Sequence, residues 1–119
     1  MEIIVSESWI KTQAKAAGNN PLDKARANGR PTLAVFSAKS CCGADKMLPV
    51  ISALRERYKE KINIVYIEAR KEQLLAGRYG IRSIPSQLFF QNNGKEFFRN
   101  SGFLSEKNIS DKLSGMGIK

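Results

Sequence analysis

Cys41 and Cys42 stand side by side in FSAKSCCGADKMLP (residues 36–49), and they are the chain's only cysteines. A thiolate is both a strong nucleophile and a soft metal ligand, so this pair is the first place where the sequence suggests chemistry. Two cysteines in one chain are too few for a structural tetrahedral zinc site. Neighbouring Cα atoms lie ~3.8 Å apart across a trans peptide, below the usual ~4.4–6.8 Å of a disulfide. A Cys41–Cys42 bridge would be strained and readily reduced, suited to a transient redox state and not to a staple. Bridging of both thiols by a soft ion such as Cu(I) is a minor reading, and no metal or other cofactor is expected. The chain has no histidine. That removes Ser-His-Asp and Cys-His catalysis, HExxH zinc sites and every Cys/His zinc finger. Cysteine, carboxylate, lysine or tyrosine must supply the chemistry.

The 119 residues suffice for one domain with a single core, and 42% hydrophobic and 26% charged content are ordinary for a globular protein. No stretch reaches the ~18–20 apolar residues of a membrane span. The start MEIIVSESWIKTQ lacks a basic n-region and an h-region, so it does not read as a signal peptide. The expected compartment is the cytoplasm, or an extracytoplasmic one if a signal has been removed. The net charge of +9 arises from 20 Lys and Arg against 11 Asp and Glu. These basic residues are spread from Lys11 to Lys119 and interrupted by acidic ones, as in LRERYKEK (54–61). Nucleic-acid binding needs clustered charge, so a solvated basic surface is the reading and no nucleic-acid partner is expected.

The cysteine pair must be positioned by the elements around it. Residues 1–18 give little signal; SESWIKTQAKAA would be helical, with Trp9 and Ile10 as anchors. NPLDKARANG (20–29) predicts a short helix with Asn20 as N-cap, Pro21 in the first turn and Gly29 as stop. PTLAVFS (31–37) predicts a strand buried on both faces. After the cysteines, Met47, Val50, Ile51, Leu54 and Tyr58 recur at helical spacing, with Pro49 expected to kink that helix. INIVYIE (62–68) predicts a second buried strand, and KEQLLAGRYG (71–80) a short helix ended by Gly80. SQLFFQ (86–91) and KEFFRNSG (95–102) flank NNG, a strong hairpin signal. SEKNISDKLSGMG (105–117) predicts a capped helix that buries Ile109 and Leu113. The paired aromatics Phe89, Phe90, Phe97 and Phe98 put one ring on each side of the sheet, as core under helices and not as a base-stacking platform. No repeat or linker breaks the series, which reads as one α/β domain.

Taken together, residues 20–117 resemble the thioredoxin-like family. The resemblance rests on TLAVF running into a Cys-containing loop that opens a helix, and on Pro49 eight residues after Cys41. It rests also on YGIRSIPSQLFF, similar to the family's YGIRGIPT segment, and on NGKEFFRNSGFLSEKNI as the closing hairpin and helix. It implies a thioredoxin fold: a central mixed sheet of four to five strands with helices on both faces. The domain is expected over 20–119, with 1–19 as an N-terminal extension. It also implies a cis peptide bond at Ile84–Pro85, facing the thiol. The usual Trp-Cys-x-x-Cys motif is altered, and two registers are open. CGADKM mimics CGPCKM and would make Cys42 the nucleophile and Asp45 the second position. Counting from Phe36 forward and Pro49 backward puts Cys41 there with no insertion or deletion, and Ala44 at the resolving position. A one-residue slip rotates a helix by ~100°, so the second register is preferred. Val35 stands where many thioredoxins carry a buried Asp, and Ser40 where the motif has Trp.

The resemblance then implies a monothiol thiol–disulfide oxidoreductase. Cys41 at a helix N-terminus gains from unpaired N–H groups and the macrodipole, which lower a thiol's pKa from its ordinary ~8.5. Lys39, Lys46 and Arg82 would add positive potential, and Asp45 would oppose it. Cys42 is the second thiol of the site, and Ser40, Gly43, Ile84 and Pro85 form its substrate-binding edge. The partners implied are disulfide-containing or glutathionylated proteins and small thiols, met by a monomer. The competing reading is a catalytically idle binding module, with Cys41 a relic, that holds partners at the Pro85 groove.

Overall fold

A computed structural model describes residues 20–38 and 46–118. The helix expected around Trp9 and Ile10 lies outside these residues. The first described element, α1 (Pro21–Arg26), is capped by Asn20, whose Oδ1 accepts the Asp23 backbone N–H at 2.9 Å. Pro21 opens the helix, where its missing N–H costs nothing. Gly29, at φ 86°, carries the chain out of the following turn. β1 (Thr32–Ser37) is buried at all six positions, as a continuous apolar run predicts for a strand covered on both faces.

Among the described residues four strands form one mixed sheet in the order β2–β1–β3–β4. β2 (Asn63–Glu68) runs parallel to β1, β3 (Ser86–Phe90) antiparallel to it, and β4 (Glu96–Ser101) antiparallel to β3. β2 departs from the sequence reading. Among the described residues it stands at the sheet's edge, and of its six residues only Ile67 is buried. Its apolar run resembles that of β1, and composition does not distinguish an edge from a centre. The hairpin turns through residues 91–95, with the Gly94 N–H donating to the Gln91 carbonyl at 2.8 Å. Gly94 has φ 86°, and a Cβ there would lie 3.0 Å from the Arg26 carbonyl oxygen, so both conformation and space favour glycine.

The sheet separates two apolar layers. Leu33, Val35 and Phe89 on one face pack with Met47, Ile51, Leu54 and Tyr58 of α2 (Met47–Tyr58) and with Ile109 and Leu113 of α4 (Glu106–Gly115). Ala34, Phe36, Leu88 and Phe90 on the other face pack with Leu22 of α1, with Leu75 and Ala76 of α3 (Gln73–Arg78), and with Tyr79. Alternation along β1 and β3 thus sends successive side chains into different layers. The phenylalanine pairs follow the same rule, with one exception. Phe98 packs on the α2–α4 layer, but Phe97 is 41% exposed and is not core, because a β-bulge leaves it without a register partner between Phe89↔Phe98 and Phe90↔Glu96.

The helix ends are as the sequence signals them. Ser105 Oγ accepts the Asn108 N–H at 3.2 Å and caps α4. After α3, Gly80 at φ 70° allows its own N–H to reach the Gly77 carbonyl and the Ile81 N–H to reach that of Ala76. Pro49 is the third residue of α2, inside the first turn, where a missing N–H is tolerated. The expected kink would involve the turn before it, outside the described residues.

Away from the α2 side, a polar cluster joins α1, α3 and the hairpin. The Arg26 guanidinium donates to the Gly94 carbonyl from Nε (3.0 Å) and Nη2 (2.7 Å), and from Nη1 to the Tyr79 hydroxyl (2.7 Å). It lies 4.5 Å from the Phe90 ring centroid. Asp23 accepts from the Tyr79 hydroxyl and from Arg78.

Candidate functional site

Cys41 and Cys42, with Ser40, Gly43 and Ala44, lie outside the described residues, as do Lys39 and Asp45. What is described is the frame that flanks them. β1 delivers the chain to Ser37 and Ala38, both fully buried, and α2 carries it away from Met47, equally buried. A strand end and a helix start thus bracket the cysteine segment.

Ile84 and Pro85 precede Ser86, which pairs with Phe36 near the end of β1. Their peptide bond is cis, in agreement with the expectation from YGIRSIP. Pro85 is buried and Ile84 half-buried, immediately before β3 begins at Ser86. Two hydrogen bonds brace this loop: Ser86 Oγ donates to the Ser83 carbonyl and the Gly102 N–H donates to the Pro85 carbonyl, each at 2.7 Å. Arg82 is exposed on the same loop.

Just after this loop lies a polar group that the sequence reading missed. Gln87 is fully buried and is the β3 register partner of Val35. Its Nε2 donates to the Gly102 carbonyl at 2.9 Å and lies 3.5 Å from Met47 Sδ, while its Oε1 accepts from Asn100 Nδ2 at 2.9 Å. Asn100 Nδ2 also reaches the Gly102 carbonyl, at 3.2 Å. The signal was present: in SQLFF, positions 87 and 89 share a face, and an amide there must find partners inside.

On the other side of Val35, its β2 register partner Tyr66 hydrogen-bonds Ser37. Burial pushes the Tyr66 phenol above its ordinary pKa; the Ser37 hydrogen bond opposes this and the Glu68 charge adds to it. Val35 itself is fully buried and apolar, so this position offers no proton acceptor. Among the described residues no three potential ligands gather as a metal site, and no helix is long and apolar enough to cross a membrane.

Comparison with known proteins agrees with this frame. A family model described as a thioredoxin-like domain matches residues 19–116. Thioredoxin Y, a chloroplastic protein of Oryza sativa subsp. japonica, is 28% identical over 105 residues, covering 87% of this chain and 62% of that protein. A thioredoxin of Porphyra purpurea is 35% identical over 65 residues, 55% of this chain and 61% of that one. The chain therefore spans less than two thirds of these relatives' length. A solved mutant thioredoxin from Halobacterium salinarum superposes with a TM-score of 0.72 at 25% identity, covering 80% of this chain and 81% of that one. The mixed sheet, the cis Ile84–Pro85 bond and a family match over residues 19–116 lead to one conclusion: the chain belongs to the thioredoxin-like family.

Proposed function

We propose that this protein performs thiol–disulfide exchange through Cys41 alone, in a domain that begins near residue 20 and carries residues 1–19 as an extension. The Cys41 thiolate attacks one sulfur of a substrate disulfide. A new S–S bond forms as the old one breaks, and the displaced sulfur leaves as a thiolate that takes up a proton. With Ala44 at the resolving position, release requires an external thiol such as glutathione. Its thiolate attacks the sulfur bound to Cys41, forms the outgoing disulfide and restores the Cys41 thiolate. Disulfide-containing or glutathionylated proteins and small disulfides are the substrates this cycle fits.

The frame around residues 39–45 is the observation that carries the reading. A buried strand leads in, a helix leads out, and the braced Pro85 loop precedes β3. An extended partner peptide would lie along that loop by strand addition. The thioredoxins among its relatives support exchange chemistry on this frame.

Intact-mass analysis and peptide mapping after oxidised glutathione test the proposal. One adduct is expected, on Cys41, persisting after dilution and removed by reduced glutathione. Iodoacetamide at pH 7 should label Cys41 before Cys42. Labelling of Cys42 first would overturn the register, and a Cys41–Cys42 disulfide in place of the adduct would overturn the monothiol cycle. A Cys41 with an undepressed pKa and no adduct would favour the idle binding module.

A further inference from the structure

Gln87 occupies a position that packing alone would give to an apolar residue. It sits between Val35 and Met47 on the α2 face and is fully buried, and burying an amide costs free energy unless its hydrogen bonds are replaced. The bonds it does make have one destination. Gln87 Nε2 and Asn100 Nδ2 both donate to the Gly102 carbonyl, and Asn100 is in turn fixed by Gln87 Oε1. Gly102 lies just beyond the end of β4 at φ 98°, next to Ser101, which pairs with Ser86 of β3 in the last register position of that ladder. Its own N–H donates to the Pro85 carbonyl. A chain of hydrogen bonds therefore runs from a buried side chain, through one glycine, to the loop that precedes β3.

We infer that Gln87 is a positioning residue for the peptide groove: its amide, seconded by Asn100, fixes Gly102 and through it the Pro85 carbonyl and the Ile84 backbone against which an extended disulfide peptide pairs. The inference rests on the exchange reading for what occupies the groove. A small disulfide makes no strand pairing and does not need the groove held; a protein disulfide does. Gln87 therefore governs the preference for polypeptide over small disulfides.

Gln87→Leu keeps the volume and the apolar packing while removing the amide. Two measurements test it. Amide hydrogen exchange by NMR should show the Gly102 N–H exchanging at least about tenfold faster, with the Ile109 N–H in α4 unchanged. The rate of mixed-disulfide formation with insulin should fall about fivefold relative to that with dithiobis(nitrobenzoate). Asn100→Ala, at a half-buried edge position, should move both readings the same way by a smaller factor, and it serves where Gln87→Leu fails to fold. Unchanged Gly102 exchange, or equal slowing with both disulfides, would overturn the inference. Wild-type protein inert toward both disulfides would instead overturn the exchange reading, and Gly102 exchange would then decide the amide's hold on the loop by itself.

Discussion

Val35→Asp restores the carboxylate that the family resemblance places at this position, and its cost can be worked from the surroundings. Val35 is fully buried against Leu33, Met47, Ile51 and Phe89. Losing its apolar burial costs ~1.5–3 kcal/mol. Burying a neutral carboxyl with incomplete hydrogen bonding adds ~1–3 kcal/mol. Gln87 brings little relief, because its amide is already committed to Gly102 and Asn100. Burial would raise the new pKa by roughly 3 units from ~3.9, and ionisation at pH 7 would then add roughly 4 kcal/mol. The sign follows: with the folded pKa above the unfolded one, the variant loses stability as pH rises from ~4 towards the folded pKa and is level above it. The total approaches the ~5–15 kcal/mol that holds a typical domain together. Urea unfolding followed by circular dichroism should show a variant roughly 2 kcal/mol weaker at pH 7 than at pH 5, relative to wild type. A loss below about 2 kcal/mol, or no pH dependence, would refute the sealed apolar site on which the estimate stands.

On the proposed cycle, Ala44→Cys should convert slow, externally resolved exchange into dithiol turnover of insulin, and adding Val35→Asp should raise the rate further wherever the double variant stays folded. If Asp45→Cys were the better reductase and Ala44→Cys inert, Cys42 would be the nucleophile. Burial raises the Asp23 pKa, but hydrogen bonds from Tyr79 and Arg78 and the Arg78 charge outweigh it and leave the carboxyl below its ordinary value. Its stabilising contribution is therefore present above pH ~4 and lost as pH falls through the folded value, so Asp23→Asn should weaken the protein at neutral pH and converge with wild type in acid, as urea titrations would show. Lys59 has φ 45° without being glycine, and its ion pair with Glu56 is highly exposed. Lys59→Gly should stabilise by about 1 kcal/mol, and a destabilised variant in thermal melts would disprove strain at this turn.

The fold was legible because its signals are local. Asn20 with Pro21, Gly80, NNG and Ser105 each mark an element boundary through a backbone or capping preference that a neighbouring residue cannot override. The β1 run announced burial on both faces by its continuity. Where the reading failed, the missing information was tertiary. Neither INIVYIE nor EFFRNS encodes where its strand stands among the described strands, so the sequence alone predicts a buried β2 and a core Phe97, and the structure shows neither. Of the candidate site, the Pro85 loop was legible from YGIRSIP, whereas Gln87 looked like one polar residue in a strand. Its importance depends on where Gly102 returns, fifteen residues later in the chain.

The two faces of the sheet spend their polar groups differently. On the α1–α3 side, Arg26, Asp23, Tyr79 and Arg78 tie helices to a hairpin, and the Asp23 carboxylate pairs with Arg78. On the α2 side the polar groups described beside Val35 are uncharged amides and hydroxyls, those of Gln87, Asn100, Ser37 and Tyr66, with the Glu68 charge felt at Tyr66. A buried carboxylate beside a thiol would oppose formation of the thiolate by like-charge repulsion, and a neutral amide does not. On the proposed single-cysteine cycle no second, resolving cysteine has to be deprotonated, and such a carboxylate would have no use. If the proposed cycle holds, Val35, the Gln87 amide and Ala44 would belong to one arrangement, in which the braced Pro85 loop serves a peptide partner and the proton transfers of a dithiol cycle are not needed.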